Sequence, residues 1–123
     1  MYKVNFYRTS TGFSDIESLL DSLSERMEKS KDARIQFEQI TRYIQFLSDH
    51  GTRLGEDITK HLDGAIWELR PGNNRILFFY FDNDAFVLLH HFRKKTRKTP
   101  RREITRAQEE MEDWITRKGN RHE

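Results

Sequence analysis

Apolar residues along this chain keep two different periods, and each change of period marks a boundary. From Tyr2 to Tyr7 (YKVNFY) aromatic and β-branched residues alternate with polar ones, the rhythm of a strand. After the loop Thr9–Phe13, Ser14 and Glu17 stand at capping-box spacing. Ile16, Leu19, Leu20, Leu23 and Met27 then recur at helical intervals. A second helix is expected from about Lys31 to His50, with Ala33, Phe37, Ile40, Ile44 and Leu47 on one stripe and His50-Gly51 as its stop. The short connection around Ser30 makes the two an αα-hairpin. Residues 51–63 keep neither period and read as an irregular link, with a helical turn at Glu56–His61.

From Gly64 the period is two. Ala65–Arg70, Arg75–Phe81 and Ala85–Phe92 read as strands, split by Pro71-Gly72-Asn73-Asn74 and Asp82-Asn83-Asp84. Both splits carry turn chemistry, so the three form an antiparallel meander. Thr99-Pro100 then places a capping hydroxyl before a proline suited to a first helical position. Ile104, Ala107, Met111 and Trp114 line one face of a closing helix. The expected fold class is α+β: a helical hairpin and a C-terminal helix around a four-stranded, mainly antiparallel sheet that the first strand joins. No internal repeat interrupts it. Residues 1–117 read as a single domain and 118–123 as a flexible tail, in keeping with a chain of 123 residues.

Composition narrows the chemistry. Only 35% of residues are hydrophobic and 34% are charged, so elements buried on every side are not expected. Nine Phe, four Tyr and two Trp supply much of the burial. With no cysteine, disulfides, thiolate metal sites and a cysteine nucleophile are excluded. No stretch approaches the ~18 apolar residues of a membrane helix, and Met1–Phe6 lacks a signal peptide's apolar core. A cytoplasmic protein without a membrane partner is the expectation. The net charge of +2 conceals a polarity: residues 14–49 carry eight acids against five bases, whereas residues 93–102 (RKKTRKTPRR) carry seven bases and no acid. Such a run suits a polyanion.

The residues around that run are the candidates for chemistry. If the Pro71–Asn74 loop closes a regular hairpin, Arg70 faces Arg75, and two guanidiniums so placed repel unless an anion lies between them. Pairing of one with Glu68 is the bland alternative. His90 and His91 point to opposite faces of their strand. A two-residue turn at Asn83-Asp84 sets Arg75 opposite Phe92 and Leu77 opposite His90; a three-residue loop selects His91 for the arginine face. No third ligand accompanies the histidines at a suitable spacing, so no zinc site is expected. Phe92 could stack on a base, although it and Trp67 also suit a core. The acids of the last helix, Glu109, Glu110, Glu112 and Asp113, read as surface charge. No glycine-rich phosphate loop or nucleophile elbow is present.

Three stretches together, WELR (Trp67–Arg70), NRIL (Asn74–Leu77) and LLHHFRKKTRKTPRREITRA (Leu88–Ala107), resemble the HigB-like, phage Gp49-related toxins of the RelE superfamily. The likeness extends more weakly over the N-terminal strand and helices. It implies a RelE-like fold and the toxin of a type II toxin–antitoxin pair, with a helix-turn-helix, HigA-like antitoxin as partner in a hetero-oligomer. It further implies a ribosome-dependent endoribonuclease that cuts mRNA without metal or other cofactor, by attack of the 2′-hydroxyl on the neighbouring phosphate. In that reading Arg75, Arg70, His90 and Lys94 are catalytic, while Lys95, Arg97, Lys98, Arg101, Arg102 and Phe92 hold RNA. A non-catalytic RNA- or ribosome-binding module of the same fold is the alternative.

Overall fold

The computed structural model describes residues 1–82 and 84–121. Its elements are β1 (Lys3–Phe6), α1 (Asp15–Arg26), α2 (Lys31–His50), β2 (Thr59–Asp63), β3 (Ile66–Leu69), β4 (Asn74–Phe81), β5 (Ala85–Arg93) and α3 (Arg101–Arg121). Hydroxyl caps start the first two helices. Ser14 accepts the N–H of Glu17, and Ser30 that of Ala33, each at 3.1 Å. The expected capping box is only half built, because the Glu17 carboxylate takes the Arg8 guanidinium at 2.5 Å instead. Gly51, at φ +63°, ends α2 and donates to the Leu47 carbonyl. A side chain there would be strained, and its Cβ would lie 3.0 Å from the Tyr2 ring.

The sheet has five strands, not four, in the order β1-β5-β4-β3-β2. β2 through β5 pair antiparallel, while β1 runs parallel to β5. The additional strand is β2, which lies where an irregular link and a helical turn were expected. Leu62 is its only apolar residue, and its pairing slips between His61 and Asp63, so the segment lacks alternation. β1 reaches the sheet through the long helical connection, and no tight turn constrains it to run antiparallel.

One core lies between the sheet and the α1–α2 hairpin, and includes Ile16, Leu23, Ile40, Leu47, Ile76, Phe78 and Leu88. The other lies under α3, with Leu77, Phe79, Val87, Leu89 and Ala107. β4 is buried from Asn74 to Phe79 and β5 from Ala85 to His90, so both central strands are covered on their two faces. The expectation that no element is buried on every side therefore fails for these two strands, while the helices contribute one-sided stripes such as Ala33, Ile40 and Leu47.

The turn between β4 and β5 leaves three residues between the paired Phe81 and Ala85. Such a loop alone would carry His91 to the arginine face. The register shifts after Phe78↔Leu88, however, and resumes as Leu77↔His90 and Arg75↔Phe92. A bulge at Leu89 thus restores the pairing of the shorter turn, and Leu89 and His90 both serve the α3 side.

Polar clamps fasten the helices to the sheet. Asp15, in the first turn of α1, accepts both the backbone N–H of His91, at 2.9 Å, and its Nδ1–H. At the far end of α3, Tyr7 donates to Asp113 at 2.7 Å. Burial, with Asp113 beside it, pushes the Tyr7 hydroxyl up to about 12. The same Asp113 accepts from Arg117 at 2.5 Å, so this half-exposed acid and the largely buried Glu110 fasten α3 instead of standing free on its surface. The helix continues through the start of the expected tail as far as Arg121, and residues 122–123 fall outside those described. Among the described residues no helix is long and apolar enough to cross a membrane.

Burial alone would raise the Asp15 carboxyl, but hydrogen bonds and charge from His91, with Arg106 adding, hold it below the ordinary value. A carboxyl lowered in the folded state contributes stability that is complete above its unfolded value, about 4, and is lost as pH falls through the folded one. Asp15→Ala should therefore lower the unfolding free energy by about 1–3 kcal/mol at neutral pH. In urea titrations its gap from the parent protein should narrow steadily below about pH 4.

Candidate active site

At the end of the sheet where β3 turns into β4 and β5 runs out, the chain builds a cleft of about 420 Å³. Arg75 from β4 and Glu68 from β3 form its floor, Phe92 and Arg93 from β5 its wall, the loop Lys94–Pro100 its rim, and Arg102 and Glu103 of α3 its far side. The turn beneath it needs glycine at one point. Gly72 has φ +61°, and a Cβ there would come within 2.5 Å of the Gln39 side-chain oxygen. The ladder continues one step past the strand, with Lys94 N–H donating to the Asn73 carbonyl at 2.8 Å, so the basic loop leaves directly above the arginine turn.

Arg75 is only 7% exposed. Its Nη1 donates to the carbonyls of Gly72, at 2.8 Å, and Asn74, at 2.9 Å, and its Nε lies 3.8 Å from Glu68. Burial lowers its pKa from the ordinary arginine value; Glu68 opposes that shift and Arg70 adds to it. A guanidinium remains charged under such a shift. Arg70 approaches the same Glu68 oxygen, Oε1, with its Nε 3.6 Å away, and donates to the Glu56 carbonyl. The anion between the two arginines is thus Glu68. It also accepts the Thr99 hydroxyl at 2.5 Å, which draws the end of the basic loop down onto β3. Thr99 was expected as a helix cap; its side chain serves the cleft instead.

Of the residues expected to act together, Arg75, Lys94, Lys95, Arg97, Lys98, Arg102 and Phe92 converge on this cleft. Arg70 shares Glu68 with Arg75 but does not line the cleft. Arg101 turns away to Asp63, at 2.6 Å. His90 takes a different place from the one expected for a proton carrier in contact with RNA. It shares the arginine face, but it is fully buried, with Nδ1 2.5 Å from Glu110 and Nε2 3.0 Å from Glu103. His91 lies on the opposite face with Asp15. Among the described residues no group of three His, Asp or Glu side chains is arranged to hold a metal ion.

Chemically, seven cations and two carboxylates line the cleft, so its field suits a polyanion, while Phe92 beside it is partly buried against the core under α3. The model of the family described as Phage derived protein Gp49-like (DUF891) matches residues 21–112. The chain belongs to the Gp49-like family. This is a RelE/HigB-like toxin family. No curated protein matches the chain.

Reading the sequence missed four of the residues that shape the cleft in this Gp49-like protein: Arg93, Thr99, Glu103 and, as more than an incidental partner, Glu68. Arg93 was counted as one more charge of the run, yet its Nη1 donates to Gln36 on α2, which also accepts from Asn74. Glu68 had one available signal: it is the only acid in β3, on the strand that leads straight into Arg70. Removing one member of a buried ion pair typically costs ~3–5 kcal/mol, because the remaining charge has no compensation. Glu68→Gln should therefore destabilise the fold by about that amount in urea unfolding, while Arg101→Ala, at an exposed pair, should change it by less than about 1 kcal/mol.

Proposed function

We propose that this Gp49-like protein is the toxin of a type II toxin–antitoxin pair and cuts mRNA on the ribosome. The antitoxin is a helix-turn-helix protein. The observation that carries the reading is Arg75: a nearly buried guanidinium, held by two backbone carbonyls and a carboxylate, at the floor of a cleft rimmed by the basic loop. Phosphodiester cleavage by the 2′-hydroxyl concentrates negative charge on the phosphate oxygens in the transition state. A fixed cation stabilises that charge without having to reorganise. Lys94 and Lys95 hold the scissile phosphate and supply protons, while Arg97, Lys98 and Arg102 follow the backbone. Seven cations in the cleft repel a divalent ion, which favours cleavage without metal.

The burial of His90 favours one competing reading, an RNA- or ribosome-binding module that does not cut. The two part company on induction of the protein with and without its neighbouring helix-turn-helix gene, followed by mapping of mRNA 5′-ends. New ends that disappear when the neighbour is expressed are expected of the toxin; ribosome association without new ends would establish the binding module.

Two variants test the site itself. Arg75→Ala should lower single-turnover cleavage of ribosome-bound mRNA by ~100- to 1,000-fold, about 3–4 kcal/mol, with antitoxin binding retained. Wild-type cutting should survive excess EDTA when polyamines keep the ribosome assembled. Joint replacement of Lys94, Lys95 and Lys98 by Ala should flatten the salt dependence of RNA binding by about two units, at roughly 0.7 per single-strand phosphate contact. An unchanged slope across a salt series would remove the basic loop from the interface.

A further inference from the structure

His90 is the only fully buried histidine side chain among the described residues, and both of its ring nitrogens meet carboxylates. A contact of 3.0 Å at Nε2 and one of 2.5 Å at Nδ1 each need a proton between nitrogen and oxygen. Either the ring is an imidazolium between two carboxylates, or it is neutral and one acid carries the proton. The three side chains therefore share a proton. They are also unequal. Glu110 is turned inward and held by Arg106, whose Nε lies 3.4 Å from its second oxygen. Glu103 lines the cleft. His90 engages its Oε1, which leaves Oε2 near Arg102, 3.9 Å away.

We propose that Glu103 is the catalytic proton acceptor of the cleft, and that His90, oriented by Glu110, is a positioning residue that fixes Glu103 and sets its proton affinity. This rests on the ribonuclease reading above. As the bond between the 2′-oxygen and phosphorus forms, Glu103 Oε2 takes the proton of the 2′-hydroxyl. The bond from phosphorus to the 5′-oxygen breaks, and that oxygen takes a proton from the Lys94 ammonium. The products are a 2′,3′-cyclic phosphate and a 5′-hydroxyl. Water returns the proton from Glu103 to Lys94, so the cycle closes without net gain or loss. The charged groups around the relay are Arg75 from β4, Glu68 from β3, Lys94 beyond β5, Arg102, Arg106 and Glu110 from α3, and Asp15 of α1, which lies 3.7 Å from Arg106.

The test is the pH dependence of single-turnover cleavage of ribosome-bound mRNA, from about pH 5 to about pH 9, which spans the range where tuned acids and bases titrate. Glu103→Gln keeps an oxygen for the His90 N–H and should preserve the fold and RNA affinity at fixed salt. It should lower the rate ~100-fold or more and abolish the ascending limb of the profile. His90→Gln removes the ring that shares a proton with Glu103, so the limb should persist with its midpoint moved. Glu103→Asp, with its carboxylate drawn back by one methylene, should keep the limb at a reduced rate, and is the variant to read if the glutamine form does not fold. Wild-type protein that cuts no RNA would bring down the ribonuclease reading and this one with it. Wild-type cutting accompanied by an intact limb in Glu103→Gln, or by an unmoved limb in His90→Gln, would overturn this proposal alone.

Discussion

A carboxylate buried among apolar neighbours costs several kcal/mol unless cations and hydrogen-bond donors surround it. Glu68, 2% exposed, meets that condition with Arg70, Arg75 and the Thr99 hydroxyl, and the geometry of the cleft depends on the arrangement. Arg75 can lie at the floor beside a second arginine because the charge between them is negative. The basic loop returns to the sheet because Thr99 reaches the same oxygen pair. A polyanion entering the cleft thus meets a cation already desolvated and already held, next to flexible lysines that remain in water. Those two kinds of cation have different work: the buried one sets geometry, and the exposed ones contribute long-range attraction and salt dependence.

The bulge at Leu89 gives this arrangement its second layer. One extra residue in β5 carries His90 to the α3 side, under two glutamates about two turns apart on one helical face, Glu103 and Glu110. The same step sends His91 to the opposite face, where Asp15 ties it to α1. Two adjacent histidines thereby clamp helices on both sides of the central strand. α3 is fixed along its length, by Glu103, by Glu110 and by Asp113 on Tyr7 among others, with Ala107 packed beneath it. A helix held so firmly presents Arg102 and Glu103 to the cleft in one orientation. The acids of the hairpin, among them Asp21, Glu25, Glu28 and Glu38, lie exposed on elements packed over the other face of the sheet. The hairpin's surplus of acids and the cleft's surplus of bases therefore lie toward opposite faces of the sheet, although each side carries both signs.

Much of this was legible in the order of residues, for local physical reasons. Ser14 and Ser30 start helices because a hydroxyl satisfies an N–H three residues on; the stripe Ala33–Leu47 needs only a helical period; and Pro71–Asn74 and Asp82–Asp84 carry turn chemistry that requires no tertiary partner. The clustering of cations above Arg75 was likewise readable, because seven bases lie in ten consecutive residues just past a strand. The RelE/HigB-like resemblance rested on the same stretch, and the Gp49-like family match spans it. Tertiary structure decided what depends on residues far apart in the chain. β2 is a strand because β3 pairs with it, not because its own five residues alternate. β1 runs parallel because the free edge of β5 takes it in that direction. Neither the bulge that chooses between His90 and His91, nor the burial of His90 between Glu103 and Glu110, leaves a mark in the local pattern: a glutamate facing solvent and one facing a buried imidazole have the same letter and helical spacing, and only the packing of α3 on β5 distinguishes them.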